Sequence, residues 1–178
     1  LLTGCTGYIG SQLAYKLNKS KFNFIGIDNL KYSYKKNFPY KNIFFKFDIS
    51  SNKIEKLIEK KNIKTVIHCA ALAYVLDAEK NKKKYNFNNV VKTKKFIDMC
   101  KKKGVENFIF FSSSNVYKDT KKIFSENAII EPKNNYGKNK ILIEKYLYKK
   151  KFTSSICLRL FNIIGMESKF DIFKPKQK

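Results

Sequence analysis

Three glycines, Gly4, Gly7 and Gly10, stand within Leu-Leu-Thr-Gly-Cys-Thr-Gly-Tyr-Ile-Gly, behind an apolar start and ahead of a helical pattern. Such a turn suits an anion: one glycine permits the tight strand-to-helix turn, one lets backbone approach a pyrophosphate, and one lets the helix pack on the strand. The amides that open the helix then face the phosphates. A glycine triplet gains meaning when an acidic residue ends the next strand about 20 residues later. Asp28 does so, behind Phe22-Asn23-Phe24-Ile25-Gly26-Ile27. A carboxylate there hydrogen-bonds the hydroxyls of an adenine ribose and repels a 2′-phosphate, which favours NAD over NADP.

A second group, Tyr136-Gly137-Lys138-Asn139-Lys140, places a phenol and an ammonium four residues apart on one helix face. A phenol with a pKa of about 10 is a poor base at neutral pH. A lysine cation and the positive nicotinamide ring both favour phenolate by direct Coulomb attraction. About two dozen residues upstream, Ser112-Ser113-Ser114 offers hydroxyls at the end of an apolar run. Asp48 and Ile49 end another run, where the carboxylate could accept from an adenine amino group while the isoleucine packs on the ring, or could instead cap a helix. Ala70 and Ala71 leave room for a cofactor to lie across the sheet edge. His68 and Cys69 read as core residues.

These residues need a scaffold that gathers strand ends at one edge. Apolar runs alternate with amphipathic stretches along the whole chain, which predicts successive βαβ units and a Rossmann-type, doubly wound parallel sheet of α/β class. Expected strands are Leu1-Thr3, Phe22-Ile27, Ile43-Phe47, Thr65-His68, Phe108-Phe111 and Ile156-Leu160. Expected helices carry Leu13, Ala14 and Leu17; then Ile54, Leu57 and Ile58 behind a Ser51 cap. A long helix follows over Asn86-Lys102, burying Val90, Val91, Phe96, Ile97 and Met99 and stopped by Gly104. The last, Asn135-Lys149, carries Ile141, Leu142 and Tyr146.

Composition narrows the function classes. The 178 residues suit one domain, and 43% hydrophobic content supports a sizeable core. Cys5, Cys69, Cys100 and Cys157 form no C-x-x-C pair, so buried reduced thiols are expected and no metal site is. No apolar stretch is long enough to span a bilayer, and no removable signal fits ahead of the glycine turn, so a cytoplasmic, membrane-free protein is expected. The net charge of +24 raises nucleic acid as a partner. Arg159, however, is the only arginine among 38 basic residues, and the scattered lysines fit a genome biased toward A and T codons. Salt-sensitive adhesion to polyanions is expected rather than specific nucleic-acid binding.

The chain resembles the extended short-chain dehydrogenase/reductases, the NAD-dependent epimerase/dehydratase family, and within it the UDP-glucose 4-epimerases. The resemblance is carried by Thr3-Gly4-Cys5-Thr6-Gly7-Tyr8-Ile9-Gly10-Ser11, Ile27-Asp28-Asn29-Leu30, Val66-Ile67-His68-Cys69-Ala70-Ala71-Leu72 and Asn88-Asn89-Val90. It continues through Phe110-Phe111-Ser112-Ser113-Ser114-Asn115-Val116-Tyr117, Asn135-Tyr136-Gly137-Lys138-Asn139-Lys140 and Leu158-Arg159-Leu160-Phe161-Asn162. It implies UDP-glucose/UDP-galactose interconversion, in which Tyr136 takes the proton from the sugar 4-hydroxyl as hydride passes to tightly held NAD. Ser113 would hydrogen-bond the same oxygen with Ser114 beside it. Lys140 would hold the nicotinamide ribose. Tyr8, Ile9, Asn29, Leu72 and Asn88 would join the glycine turn and Asp28 around the cofactor. Phe161 would meet nicotinamide, and Asn162 the UDP-sugar.

Lys118, Lys92 and Asn135 stand where the family carries glycine, glycine and proline. Residues 1–165 are expected to form the NAD-binding domain, and 166–178 to begin a substrate-binding region that is largely absent, as in a fragment. A homodimer through the helices Asn86-Lys102 and Asn135-Lys149 is implied as well. Related readings are a uronate 4-epimerase, a 4,6-dehydratase, or a noncatalytic NAD-binding protein if the chain is complete. The dehydratase is disfavoured because its Asp-Glu pair is replaced by Ser114 and Asn115.

Overall fold

Short apolar runs rich in Val, Ile and Phe, separated by amphipathic stretches, pair here as parallel strands that pack against helices. The computed structural model describes residues 1–119 and 125–165. The strands are β1 (Leu2–Thr3), β2 (Gly26–Asp28), β3 (Phe44–Lys46), β4 (Thr65–His68), β5 (Asn107–Ser113) and β6 (Ser154–Leu160). They form one parallel sheet in the order β3-β2-β1-β4-β5-β6. This is the Rossmann-type order, and the sheet reverses its direction of growth between β1 and β4.

Helices α1 (Tyr8–Lys19), α2 (Lys53–Lys60), α3 (Val75–Lys80), α4 (Lys82–Asn86), α5 (Lys92–Lys102) and α6 (Asn135–Lys149) connect the strands. One core layer joins Val66, Phe108 and Phe110 of the sheet to Ile54, Ile58, Phe96, Ile97, Ile143 and Leu147. The other packs Leu2, Cys5 and Ala14 around Phe38. All four cysteines are unpaired, with Cys5 and Cys100 buried. No helix among the described residues is long and apolar enough to cross a membrane.

Several expected elements shift. β2 starts at Gly26 rather than Phe22, because Phe22 N–H bonds back to the Leu17 carbonyl and completes the end of α1. Asn52, not Ser51, takes the N-cap position of α2, although the Ser51 hydroxyl accepts from Lys53 N–H at 3.3 Å. The helix expected from Asn86 begins earlier, as α4, and passes through a π turn over Phe87–Val91 before α5. Val91 and Met99 are consequently half-buried, while Thr93 and Cys100 are buried. Gly104 ends α5 as expected, with Val105 N–H bonded to the Cys100 carbonyl. On α6 the phase differs: Leu142 is exposed, and Ile143 and Leu147 fill the core. The expected start of a substrate-binding region, 166–178, lies outside the described residues.

His68 is a core residue as expected. Its ring is buried among Phe96, Phe108 and Phe110, with Nδ1 2.7 Å from the Thr3 hydroxyl. Burial pushes its pKa down to about 3. Between that value and the unfolded value of about 6.5, the unfolded chain binds more protons, so stability falls as pH drops through the window. Urea unfolding between pH 7 and pH 5 should therefore show a loss approaching about 1.4 kcal/mol per pH unit in the lower half of that range. The slope should largely vanish in His68→Gln; an unchanged slope would assign it to another group.

Candidate active site

At the switch point the ends of β1 and β4 lie side by side, Thr3 in register with His68. Gly4 follows with φ +67°, and a Cβ there would stand 2.7 Å from the Ala70 nitrogen, so both conformation and space demand glycine. A Cβ on Gly10 would lie 2.1 Å from the Gly4 carbonyl oxygen, which seats α1 directly on the turn. The first turn of α1 has neither a side-chain cap nor an acidic residue. Its positive end faces a cleft of about 740 Å³ lined by Gly4, Gly7 and Tyr8 on one side and by Cys69, Ala70, Ala71 and Leu72 on the other. The cradle thus fits a diphosphate.

Asp28 lies in this cleft at the end of β2. Its Oδ1 accepts from Leu30 N–H at 2.9 Å, and its Oδ2 accepts from Thr6 N–H at 3.2 Å, so the carboxylate is oriented by backbone. Asn29, Ile49 and Asn88 also line the cleft. The segment after β4 is pinned by Asn89, whose side chain accepts from Leu72 N–H at 2.9 Å and donates to the Leu72 carbonyl at 2.8 Å. Sequence reasoning singled out Asn88 and missed Asn89. The π turn carries both. Asp48 reaches the cleft as expected, but its carboxylate is engaged by Asn29, Ser50 and Lys92. Those hydrogen bonds hold it far below the usual carboxylate range against the opposing effect of burial.

The second expected group assembles at the end of β5. Ser113 Oγ accepts from the backbone N–H of Asn115 at 3.2 Å and from its Nδ2 at 3.1 Å. Asn115 Oδ1 accepts from Asn134 Nδ2 at 2.8 Å, and Asn134 Oδ1 caps α6 by accepting from Gly137 N–H at 2.7 Å. A Cβ on Gly137 would stand 2.2 Å from the Asn115 carbonyl oxygen, so this glycine lets α6 close onto the strand end. Asn115, Asn134 and Gly137 carried no assigned role in the sequence; paired asparagines before a helix are the cap signal that pointed to them. Ser114 is half-buried in the short turn Ser114–Val116.

Tyr136 packs against Leu72, Ala78 and Tyr85 at the cleft edge, and Lys140 is buried one turn on. Lys140 Nζ donates to the Phe111 carbonyl at 2.6 Å and lies 5.5 Å from the centre of the Tyr136 ring. The sequence expectation of a lowered phenol pKa includes the charge of a bound nicotinamide ring; the chain by itself holds both groups toward their neutral forms. Burial pushes Tyr136 up to about 12 and Lys140 down to about 8, because desolvation penalises the charged form of each. Phe161 and Asn162, past the end of β6, are exposed and do not line the cleft.

An ion pair between buried Glu144 and half-buried Arg159 anchors α6 behind these residues. Glu144 receives the Arg159 guanidinium, Nη2 to Oε2 at 2.7 Å, and the Ser112 hydroxyl. Arg159 Nη1 also donates to Tyr117 Oη at 3.1 Å. This pair went unread in the sequence, although a single arginine among so many lysines marked the position. Arg159→Met should lower stability by about 3 kcal/mol by stranding the Glu144 charge, and the double variant Glu144→Leu/Arg159→Met should recover most of the loss. Denaturant unfolding reads both; equal losses in the single and double variants would show that the pair is not coupled.

A profile of the NAD dependent epimerase/dehydratase family matches residues 1–177. The chain is 34% identical to a UDP-glucose 4-epimerase of Haemophilus influenzae, over 93% of this chain and 53% of that protein. It is 30% identical to a dTDP-D-glucose 4,6-dehydratase of Dictyostelium discoideum, over 99% of this chain and 46% of that one. The crystal structure of UDP-glucose 4-epimerase from Brucella ovis in complex with NAD superimposes with a TM-score of 0.89 at 29% identity, covering 96% of this chain and 54% of that chain. The chain spans about half the length of these relatives. Family profile, sequence identity and fold agree, and the chain belongs to the NAD dependent epimerase/dehydratase family.

Proposed function

We propose that this chain is the cofactor-holding part of a nucleotide-sugar 4-epimerase that interconverts UDP-glucose and UDP-galactose. The observation that carries this reading is the placement of two residue sets along one sheet edge: a diphosphate cradle ending in Asp28, and Ser113, Tyr136 and Lys140 at the end of β5 and the start of α6. The glycine turn and the amides opening α1 would hold the pyrophosphate of NAD, and Asp28 would accept from the adenine ribose. Bound NAD supplies a reversible hydride acceptor. Tyr136 takes the proton of the sugar 4-hydroxyl, and Ser113 donates to the same oxygen. A phenol held near 12 is protonated at neutral pH, so proton uptake depends on cations beside it. Lys140 is one, and the oxidised nicotinamide ring carries the same sign of charge.

Epimerisation is favoured over 4,6-dehydration because the two positions after Ser113 are Ser114 and Asn115, neither of which can act as an acid. The same reading includes a homodimer through α5 and α6, which mass in solution would test. Proton NMR of UDP-galactose incubated with the chain and NAD should reveal the anomeric signal of UDP-glucose. In Tyr136→Phe that conversion should fall by about a hundredfold or more with NAD affinity nearly unchanged, as for loss of a general base. Equal conversion in the variant would remove Tyr136 from the reaction, no conversion by the NAD-bound wild type would mean that the chain supplies the cofactor part alone or that the sugar is another one, and a folded wild type that binds no NAD would overturn the reading.

A further inference from the structure

Asp48 stands at the far end of the cleft from the glycine turn, on the loop after β3 where the base of a dinucleotide would rest beside Ile49. Its Oδ2 accepts from Asn29 Nδ2 and from Lys92 Nζ, each at 2.9 Å. Its Oδ1 accepts from the Ser50 backbone N–H at 3.0 Å and the Ser50 hydroxyl at 2.7 Å. A carboxylate offers about four acceptor positions. All four are therefore taken by groups of the protein itself.

Two of the four donors belong to Ser50, a near neighbour, and a third to Asn29, at the end of the adjoining strand β2. Lys92 is different. It comes from the first residue of α5, 44 positions along the chain, and brings a full charge. The pair is only partly exposed, its side chains 20% and 29% accessible for Lys92 and Asp48, so solvent screens it incompletely. An amino group arriving at Asp48 would have to displace a charge-assisted hydrogen bond to make one of its own. Among the described residues Asp48 is the one hydrogen-bond acceptor on the three Lys92 ammonium protons. Lys92 itself stands outside the cleft lining, in an adjoining recess with Ile49 and Ser50, and reaches the cleft through its bond to Asp48.

We propose that Lys92 withdraws Asp48 from base recognition, so that this end of the cleft accepts a purine dinucleotide bearing a 6-oxo group about as well as one bearing a 6-amino group. The proposal rests on the dinucleotide reading of the cleft and adds a specificity-determining residue to it. Lys92 does not touch the reacting atoms.

Calorimetric titration of the full chain with NAD and with nicotinamide hypoxanthine dinucleotide tests it, without any turnover. The wild type should bind the two within about threefold of each other, less than the discrimination of one charge-assisted hydrogen bond. Lys92→Met keeps the apolar stem on α5 but frees one acceptor position, and should shift the ratio toward NAD by about tenfold or more. Lys92→Arg restores the charge and should return the ratio to that of the wild type. A wild type that already prefers NAD by about tenfold, or a Lys92→Met variant with an unchanged ratio, overturns the role of Lys92 and leaves the dinucleotide reading standing. Binding of neither dinucleotide by the folded wild type overturns both. Lys92→Leu, which likewise removes the ammonium, gives the same readout if Lys92→Met fails to fold.

Discussion

A backbone contact with no room for a methyl group, Gly4 against Ala70, sets the geometry on which the site depends. It brings the ends of β1 and β4 to van der Waals distance at the point where the sheet reverses its order. α1 then begins in the crevice between them, and Gly10 presses that helix onto the Gly4 carbonyl. The aligned peptide dipoles of α1 and its uncapped first turn point into the space that results. A side chain at either glycine would push the helix out of the crevice, and the cleft would lose its anion-favouring wall.

The other end of the site is held by polar contacts rather than by steric closeness. The chain Ser113–Asn115–Asn134–Gly137 fixes the start of α6 to the end of β5, and Arg159–Glu144–Ser112 fixes its middle to β5 and β6. Between these anchors sit Tyr136 and Lys140, both buried and both shifted toward their neutral forms. The folded chain thus keeps a proton on the phenol and weakens the hold of the lysine on its own. Charge entering the cleft is what would move the phenol toward ionisation, since at such low exposure Coulomb interactions are poorly screened.

The parts of the molecule governed by local pattern were legible from the residues. Thr65–His68 and Asn135–Lys149 occur with the bounds expected, because β-branched runs and helical periodicity specify them without help. The glycine turn and Asp28 were legible because a tight turn and a strand-end carboxylate depend on residue type and spacing. Features decided by partners distant in sequence were not. The π turn carries Asn89, which bonds both polar groups of Leu72 from 17 residues away. The saturation of Asp48 depends on Lys92, and the engagement of Glu144 depends on a strand that follows it. On α6 the consecutive Ile141, Leu142 and Ile143 leave the phase to packing, which buries Ile143 and exposes Leu142. Phe161 and Asn162 were placed by resemblance, and the fold leaves them exposed beyond β6.

A dinucleotide held in this cleft would set its adenine ribose against Asp28. Titration of NAD and NADP into wild type and Asp28→Ala, followed by calorimetry, tests it most directly. The wild type should prefer NAD by about tenfold or more, since a 2′-phosphate beside a carboxylate is a like-charge contact, and Asp28→Ala should bind NAD more weakly and lose the preference. Equal binding of the two cofactors by the wild type, or an unchanged preference in Asp28→Ala, would contradict it.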